Sequence, residues 1–322
     1  MIRVEKAWTR ALLAVEAVER ADARAALAAM ARYAPNIGEL ARGSDADGVP
    51  VPALIRELRA GLTPGEAAAI HTGLTSQDVI DTAMVLTLLT VLTLLEERLD
   101  ALVEALDGLV RASAGRRMTG RTRMQAALPI PAAARIESWR GPLTAHLARL
   151  DPLRARLARA QIGGPVGLRD APAEQGERAA AEAARILGLG HGPVWHSDRA
   201  PMVEAGHWLV LVSGSLGKLG QDVALMAQQG VDDIALSGGG GSSAMAHKRN
   251  PVRAETLVTL ARFVSAQHGA LTQAMVHEQE RSGTAWALEW MTLPAMAEAT
   301  GAALRHALAL IAQVESVGRT GN

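Results

Sequence analysis

Ser76-Gln77-Asp78-Val79-Ile80-Asp81-Thr82-Ala83-Met84-Val85-Leu86-Thr87-Leu88-Leu89-Thr90-Val91-Leu92 opens a run that continues to about Ala112. Apolar residues recur through it at helical spacing for roughly 35 residues, with neither Gly nor Pro before Gly108. A helix about three times the usual length has an apolar stripe that needs partners along its whole extent, and such helices belong to bundles. Similar patterns run over 132–160, 200–234, 251–279 and 285–314, each with an occasional Gly or Pro that suits a kink. The breaks between them, Gly163-Gly164-Pro165, 188–193 and 237–250, are glycine-rich. No period-two run enriched in β-branched residues stands out, so the chain reads as all-α, a long-helix bundle.

Upstream, residues 4–32 carry Leu12, Leu13, Val15, Ala17 and Val18 on one broad face, which predicts a surface helix. Turn formers and two prolines from Gly43 to Pro52 predict that the helical pattern stops there, with a short helix over 53–60 beyond. Thr63-Pro64-Gly65-Glu66 has the form of a capping box with Pro at the first helical position, opening a helix that leads into His71. Two domains are expected: a small helical one over 1–77 and the long-helix bundle over 78–322.

The 33 Lys and Arg balance 33 Asp and Glu, so no basic footprint for nucleic acid or an anionic membrane exists. With no cysteine there is no disulfide framework, thiolate metal site or thiol nucleophile. No grouping of His, Asp and Glu has metal-ligand spacing, and His191 with His196 is an isolated pair, so neither metal nor cofactor is expected. Charges within the first six residues, with no apolar stretch after them, read as no signal peptide. The most apolar stretch, 83–95, is about 13 residues and reads as too short for a bilayer. A cytoplasmic protein is the expectation.

Ser237-Gly238-Gly239-Gly240-Gly241-Ser242-Ser243-Ala244-Met245-Ala246-His247-Lys248-Arg249-Asn250-Pro251 is the most unusual stretch. It is not a P-loop, because Lys248 is followed by Arg249 rather than Ser or Thr, and no GxSxG elbow passes through Ser242 or Ser243. Two readings remain: a flexible Gly/Ser linker, or a loop that closes over an anion while its cationic and amide side chains converge on it.

Residues 241–251 closely resemble the GSSxMPxKxNP signature of the fumarase/aspartase superfamily, with Ala246 where the family has Pro. Two further blocks agree in order: His71-Thr72-Gly73-Leu74-Thr75-Ser76-Gln77-Asp78 through Ala83 resembles HxGxTSQDxxDTA, and Gly120-Arg121-Thr122-Arg123-Met124-Gln125-Ala126-Ala127 resembles GRTxxQxA. The resemblance covers about residues 4–317. It implies an enzyme that adds or eliminates beside a carboxylate through an enolate-like aci-carboxylate. Lyases that release an amine carry a His in a GRTH version of the second block, where this chain has Arg123. A carboxylate leaving group needs no such acid at neutral pH. That points to the 3-carboxy-cis,cis-muconate cycloisomerase branch, although that branch usually has Trp at this place. Asp47-Gly48-Val49-Pro50-Val51-Pro52, Pro193-Val194-Trp195-His196-Ser197-Asp198-Arg199 and Glu278-Gln279-Glu280-Arg281-Ser282-Gly283 are similar to the same branch.

By the resemblance, Ser242 is the catalytic serine that exchanges the proton beside a carboxylate, and Lys248 and Asn250 stabilise the aci-carboxylate. His71, Thr75, Ser76, Gln125, Ser243 and Met245 match substrate-contacting positions, and Arg121 and Arg123 suit carboxylate clamps. Thr75 and Ser76 equally suit a helix N-cap, and the two arginines equally suit surface pairs. Glu280 and Arg281 read as a bracing ion pair, and His196, Asp198 and Arg199 as the start of a helix. The implied partners are a small polycarboxylate substrate and three further copies of the chain, in a homotetramer whose sites draw their blocks from different chains. The family has a stretch ahead of Val4 and a third, C-terminal helical domain that this sequence stops short of. A fumarate-releasing lyase and a non-catalytic homologue are the rival readings.

Overall fold

The computed structural model describes residues 1–241, 245 and 249–320. The helix expected over 4–32 is two, α1 (Ile2–Ala14) and α2 (Arg20–Arg32), because Glu16 takes a left-handed φ of 61° with no Gly or Pro to announce the break. α3 (Ile37–Asp47) opens on Asn36, whose side chain accepts the Glu39 N–H, and ends at left-handed Gly48. It therefore runs through Gly43 to Asp47, where a stop was expected. A Cβ on Gly43 would lie 2.4 Å from that of Ala53, so this glycine serves the close approach of α4 (Val51–Arg59) rather than a turn. α5 (Pro64–Ala68) carries the expected capping box, Glu66 accepting the Thr63 N–H at 2.8 Å while Thr63 accepts that of Glu66 at 3.4 Å.

The long run is one 37-residue helix, α6 (Ser76–Ala112). After it comes a feature that periodicity did not predict, a β-hairpin of β1 (Arg116–Thr122) and β2 (Gln125–Pro131). α7 (Ala132–Leu147), α8 (Leu150–Leu157), α9 (Gly176–Leu187), α10 (Ala200–Met226), β3 (Ile234–Leu236), α11 (Val252–Gln273), α12 (Thr284–Ile311), β4 (Val314–Val317) and β5 (Arg319–Thr320) complete the order. The strands form two small antiparallel sheets, β2-β1-β5 and β3-β4, on a fold that is mostly helical.

The chain forms two compact units of interleaved segments. The first comprises Met1–Thr90, Arg154–Arg199 and Val276–Ser282. In it α1 packs on α9, and Val4, Ala7, Trp8, Ala11 and Leu12 of the one and Ala179, Ala180, Ala183, Ala184 and Leu187 of the other are all buried. The second comprises Val91–Leu153, Ala200–Met275 and Gly283–Asn322. Here α10 packs against α7, α11 and α12. Three of its glycines act as contact points: Cβ atoms on Gly206, Gly217 and Gly220 would come within 2.3–2.5 Å of Leu271, Ala261 and Ala254.

By length and composition α6 and α10 could each cross a bilayer, which corrects the expectation that no apolar run is long enough. The stretch over 83–95 is only the most apolar part of a longer helix. Burial is what distinguishes α10 as a core helix: Trp208, Leu209, Val212, Leu216, Leu219 and Val223 are buried inside the second unit.

Candidate active site

In the first unit the site begins at the N-terminus of α6. Thr75 is the residue ahead of the helix, and Asp78 is its third residue, the place where a carboxylate satisfies free amides. Asp78 is fully buried and surrounded by donors. Its Oδ2 accepts the N–H groups of Thr75 at 3.0 Å and Gly164 at 2.9 Å. Its Oδ1 accepts the N–H of Gly163 at 2.8 Å and the Gln161 amide at 3.4 Å, and lies 2.8 Å from His196 Nε2. One turn on, Asp81 takes a bidentate grip from buried Arg199, at 2.7 and 3.1 Å, and accepts from Gln77 at 3.1 Å. The guanidinium of Arg199 also lies 5.0 Å from the centre of the Trp195 ring. His196 and Arg199 thus fasten the first turns of α6; they precede α10, which begins at Ala200.

Around this anchored terminus stand His71, Thr75 and Ser76. Thr75 Oγ1 accepts from Arg281 at 2.5 Å across 206 residues of sequence, so Arg281 is directed to the site rather than to Glu280. His71 has a left-handed φ of 63°, and its Nδ1 lies 2.7 Å from Oε1 of buried Glu5. Gly73 and Gly164 complete the setting with positive φ: a Cβ on Gly73 would lie 2.4 Å from the Ala171 carbonyl, and one on Gly164 would lie 3.0 Å from the Gly73 carbonyl. Sequence reasoning assigned no role to Glu5, Asp78, Asp81 or Gln77. The signal available was a carboxylate three places after Thr75, at the start of a helix.

The second unit holds the other blocks. Arg123 and Met124 form the tip of the β1-β2 hairpin, with φ of 49° and 65°, values that suit a tight two-residue turn. Arg121 and Arg123 line a cavity of about 560 Å³ with Arg135, Ser138, Lys218 and Asp222. Arg121 is paired with Asp233, and Lys218 and Arg135 both face Asp222. Asp222 also accepts from the indole of Trp139 at 2.7 Å. Arg121 is therefore paired within the chain, while Arg123 has no partner among the described residues. Gln125 begins β2 with an exposed side chain.

Met245 lines a larger cavity, about 1010 Å³, with Arg249, Arg262, Gln228 and Asp232. Asn250 exchanges both backbone hydrogen bonds with Gly240, at 2.9 Å each, which closes the base of the glycine loop. It lines a third cavity of about 280 Å³ with Arg253, Thr256 and His306. Burial, then Arg305 and Arg253, hold the His306 imidazole below its ordinary value. Ser242, Ser243 and Lys248 lie outside the described residues. Among the described residues no three His, Asp or Glu side chains gather in a metal-ligating cluster.

Comparison with known proteins bears on these blocks together. The lyase family profile matches residues 1–265. The chain is 39% identical over 269 residues to a 3-carboxy-cis,cis-muconate cycloisomerase of Pseudomonas aeruginosa, covering 82% of this chain and 58% of that one. It is 34% identical over 253 residues to the protein of the same name from Acinetobacter baylyi, covering 77% of this chain and 56% of the other. The chain thus spans little more than half the length of these curated relatives. Among solved structures, a 3-carboxy-cis,cis-muconate lactonizing enzyme from Pseudomonas putida superposes with a TM-score of 0.89 at 34% identity, over 98% of this chain and 71% of that one.

Proposed function

The chain belongs to the lyase family of the fumarase/aspartase superfamily, and from that premise we propose that it closes 3-carboxy-cis,cis-muconate to 4-carboxymuconolactone, a step in protocatechuate breakdown. The observation that carries this choice is Arg123 at the hairpin tip. An amine-releasing member needs an imidazole there to protonate its leaving group, and a guanidinium remains charged and cannot serve as that acid. Carboxylate chemistry has no such requirement. The cycloisomerase names of the relatives point the same way.

In the forward reaction a carboxylate oxygen of the substrate forms a C–O bond at one end of a double bond. The electron pair moves onto the neighbouring carboxylate as an aci-carboxylate, and the carbon beside it then takes up a proton. Ser242 is the residue we assign to that proton. Lys248, Asn250 and Ser243 are assigned to the dianion, which gains most from fixed positive charge and hydrogen-bond donors. Thr75, Ser76 and His71 receive another carboxylate at the N-terminus of α6, where unsatisfied amides and the helix dipole favour an anion. Arg123, with Gln125 and Met245, faces the remaining groups of the substrate, while Arg121 supports the hairpin through Asp233.

The chain acts in this reading as a soluble cytoplasmic homotetramer without metal or cofactor. Exposed Leu94 on α6, Phe263 on α11 and Met291 on α12 support burial of the long helices between subunits. The test is the ultraviolet absorbance of 3-carboxy-cis,cis-muconate with the purified protein and with Ser242→Ala. Ring closure destroys the conjugated diene, so absorbance falls with the wild type and at least about 100-fold more slowly with the variant. Unchanged absorbance with a preparation shown to be tetrameric would sink the assignment.

A further inference from the structure

Three side chains on one face of α1, at i, i+3 and i+4, reach the segment that carries His71. The Trp8 indole donates to the Thr72 carbonyl at 2.8 Å, and the Thr9 hydroxyl donates to the Ala69 carbonyl at 2.7 Å. The third, Glu5, contacts His71 itself: its Oε1 lies 2.7 Å from Nδ1 of the ring. Trp8 and Thr9 are neutral contacts that already hold the segment to the helix. Glu5 is different in kind. Its side chain is 0% exposed, and its second oxygen, Oε2, is buried with no hydrogen-bond partner among the described residues. A carboxylate so incompletely satisfied works against stability, and anchoring alone gives no reason to keep it there.

Orienting an imidazole does give a reason. A carboxylate oxygen is an acceptor, and Oε1 of Glu5, 2.7 Å from Nδ1, is placed to accept a hydrogen carried by that ring nitrogen. The other nitrogen, Nε2, has no partner among the described residues and is not sealed from solvent, since 17% of the His71 side chain remains exposed. The left-handed φ of His71 shows that the backbone adopts an unfavourable conformation to bring the ring to this place.

We propose that Glu5 is a positioning residue of the active site: it holds His71 in the Nδ1–H tautomer and fixes the ring so that Nε2 faces the ligand. This rests on the reading of His71 as a substrate contact. Glu5 acts through the ring, in the manner of the carboxylate behind a catalytic histidine, and the Met1 amino group is the further charge that it faces.

Two readouts test it on the full chain. Long-range nitrogen correlation spectra of the histidine-labelled protein, with His71 identified by its loss in His71→Gln, report which ring nitrogen carries the hydrogen. The wild type is expected to show a protonated Nδ1 and a bare Nε2. In Glu5→Leu the pattern changes toward the other tautomer, while in Glu5→Gln, whose amide oxygen still accepts, it is retained. Turnover of 3-carboxy-cis,cis-muconate follows the spectra: kcat/KM falls at least about tenfold in Glu5→Leu and recovers in part in Glu5→Gln. A wild-type ring bare at Nδ1, or a Glu5→Leu spectrum identical to the wild type, overturns the proposal. Should Glu5→Leu fail to fold, the wild-type spectrum and Glu5→Gln still decide it. The expected spectra without any turnover by the wild type would leave Glu5 in this role and remove the proposed reaction instead.

Discussion

Asp78 joins three separate stretches of chain through one carboxylate: the residue ahead of α6, the Gly163-Gly164 loop and His196. Removing half of its accepting capacity leaves several buried N–H groups without partners. Asp78→Asn is therefore expected to destabilise the protein by about 3–5 kcal/mol, read as a lower urea midpoint. A loss under about 1 kcal/mol would show that the network tolerates its own disruption. At this scale the sequence was informative about residue type and silent about pairing. His71, Thr75 and Ser76 were singled out because three blocks matched in order, and they stand together at the N-terminus of α6. The partners Glu5, Arg281 and His196 were not, since they lie 66, 206 and 118 residues from the groups they touch, and no local pattern encodes such pairs.

Glycine in α10 separates two effects that usually act together. Gly220→Ala gains helix propensity, about 1 kcal/mol, but its Cβ would lie 2.5 Å from the Ala254 carbonyl on α11. Backbone cannot yield as a side-chain tip can, so the clash wins and a net loss of about 1–3 kcal/mol is expected. Gly214 on the same helix has no atom within 4 Å of the place an added Cβ would take, so Gly214→Ala should stabilise by about 0.5–1 kcal/mol. Equal effects of the two changes on the urea midpoint would refute the close-approach reading of Gly220. The long helices were legible, since apolar spacing over many turns leaves few alternatives, whereas the shorter α3 and α9 were not expected. Helix ends were less so: Glu16 stops α1 without a sequence signal, and Gly43 looked like a turn although it serves packing. The β1-β2 hairpin was hidden because its turn uses Arg123 and Met124 in place of the usual Asn-Gly.

For the whole molecule, three histidines share one electrostatic condition. Burial first, then Arg149, holds His146 below the ordinary imidazole value; burial, then His207, does so for His268; and burial with Arg305 and Arg253 does so for His306. The unfolded chain therefore binds more protons than the native protein just below the ordinary value of about 6.5, so stability falls as pH drops through it. Urea midpoints at pH 7.5, 6.5 and 5.5 should decline, and His146→Gln should lessen the decline. A flat profile down to pH 5 would contradict it. The mostly helical class was legible at this scale, but the interleaving of the units was not, because local periodicity carries no record of which distant segments meet. The excursion of 276–282 out of the second unit and into the first also sets an order of events during synthesis. Arg281 leaves the ribosome 206 residues after Thr75, a delay of roughly 10–40 s at ordinary translation rates. Through that interval the nascent first unit waits with Thr75 and the start of α6 unfinished, a natural client for chaperones until 276–282 has emerged.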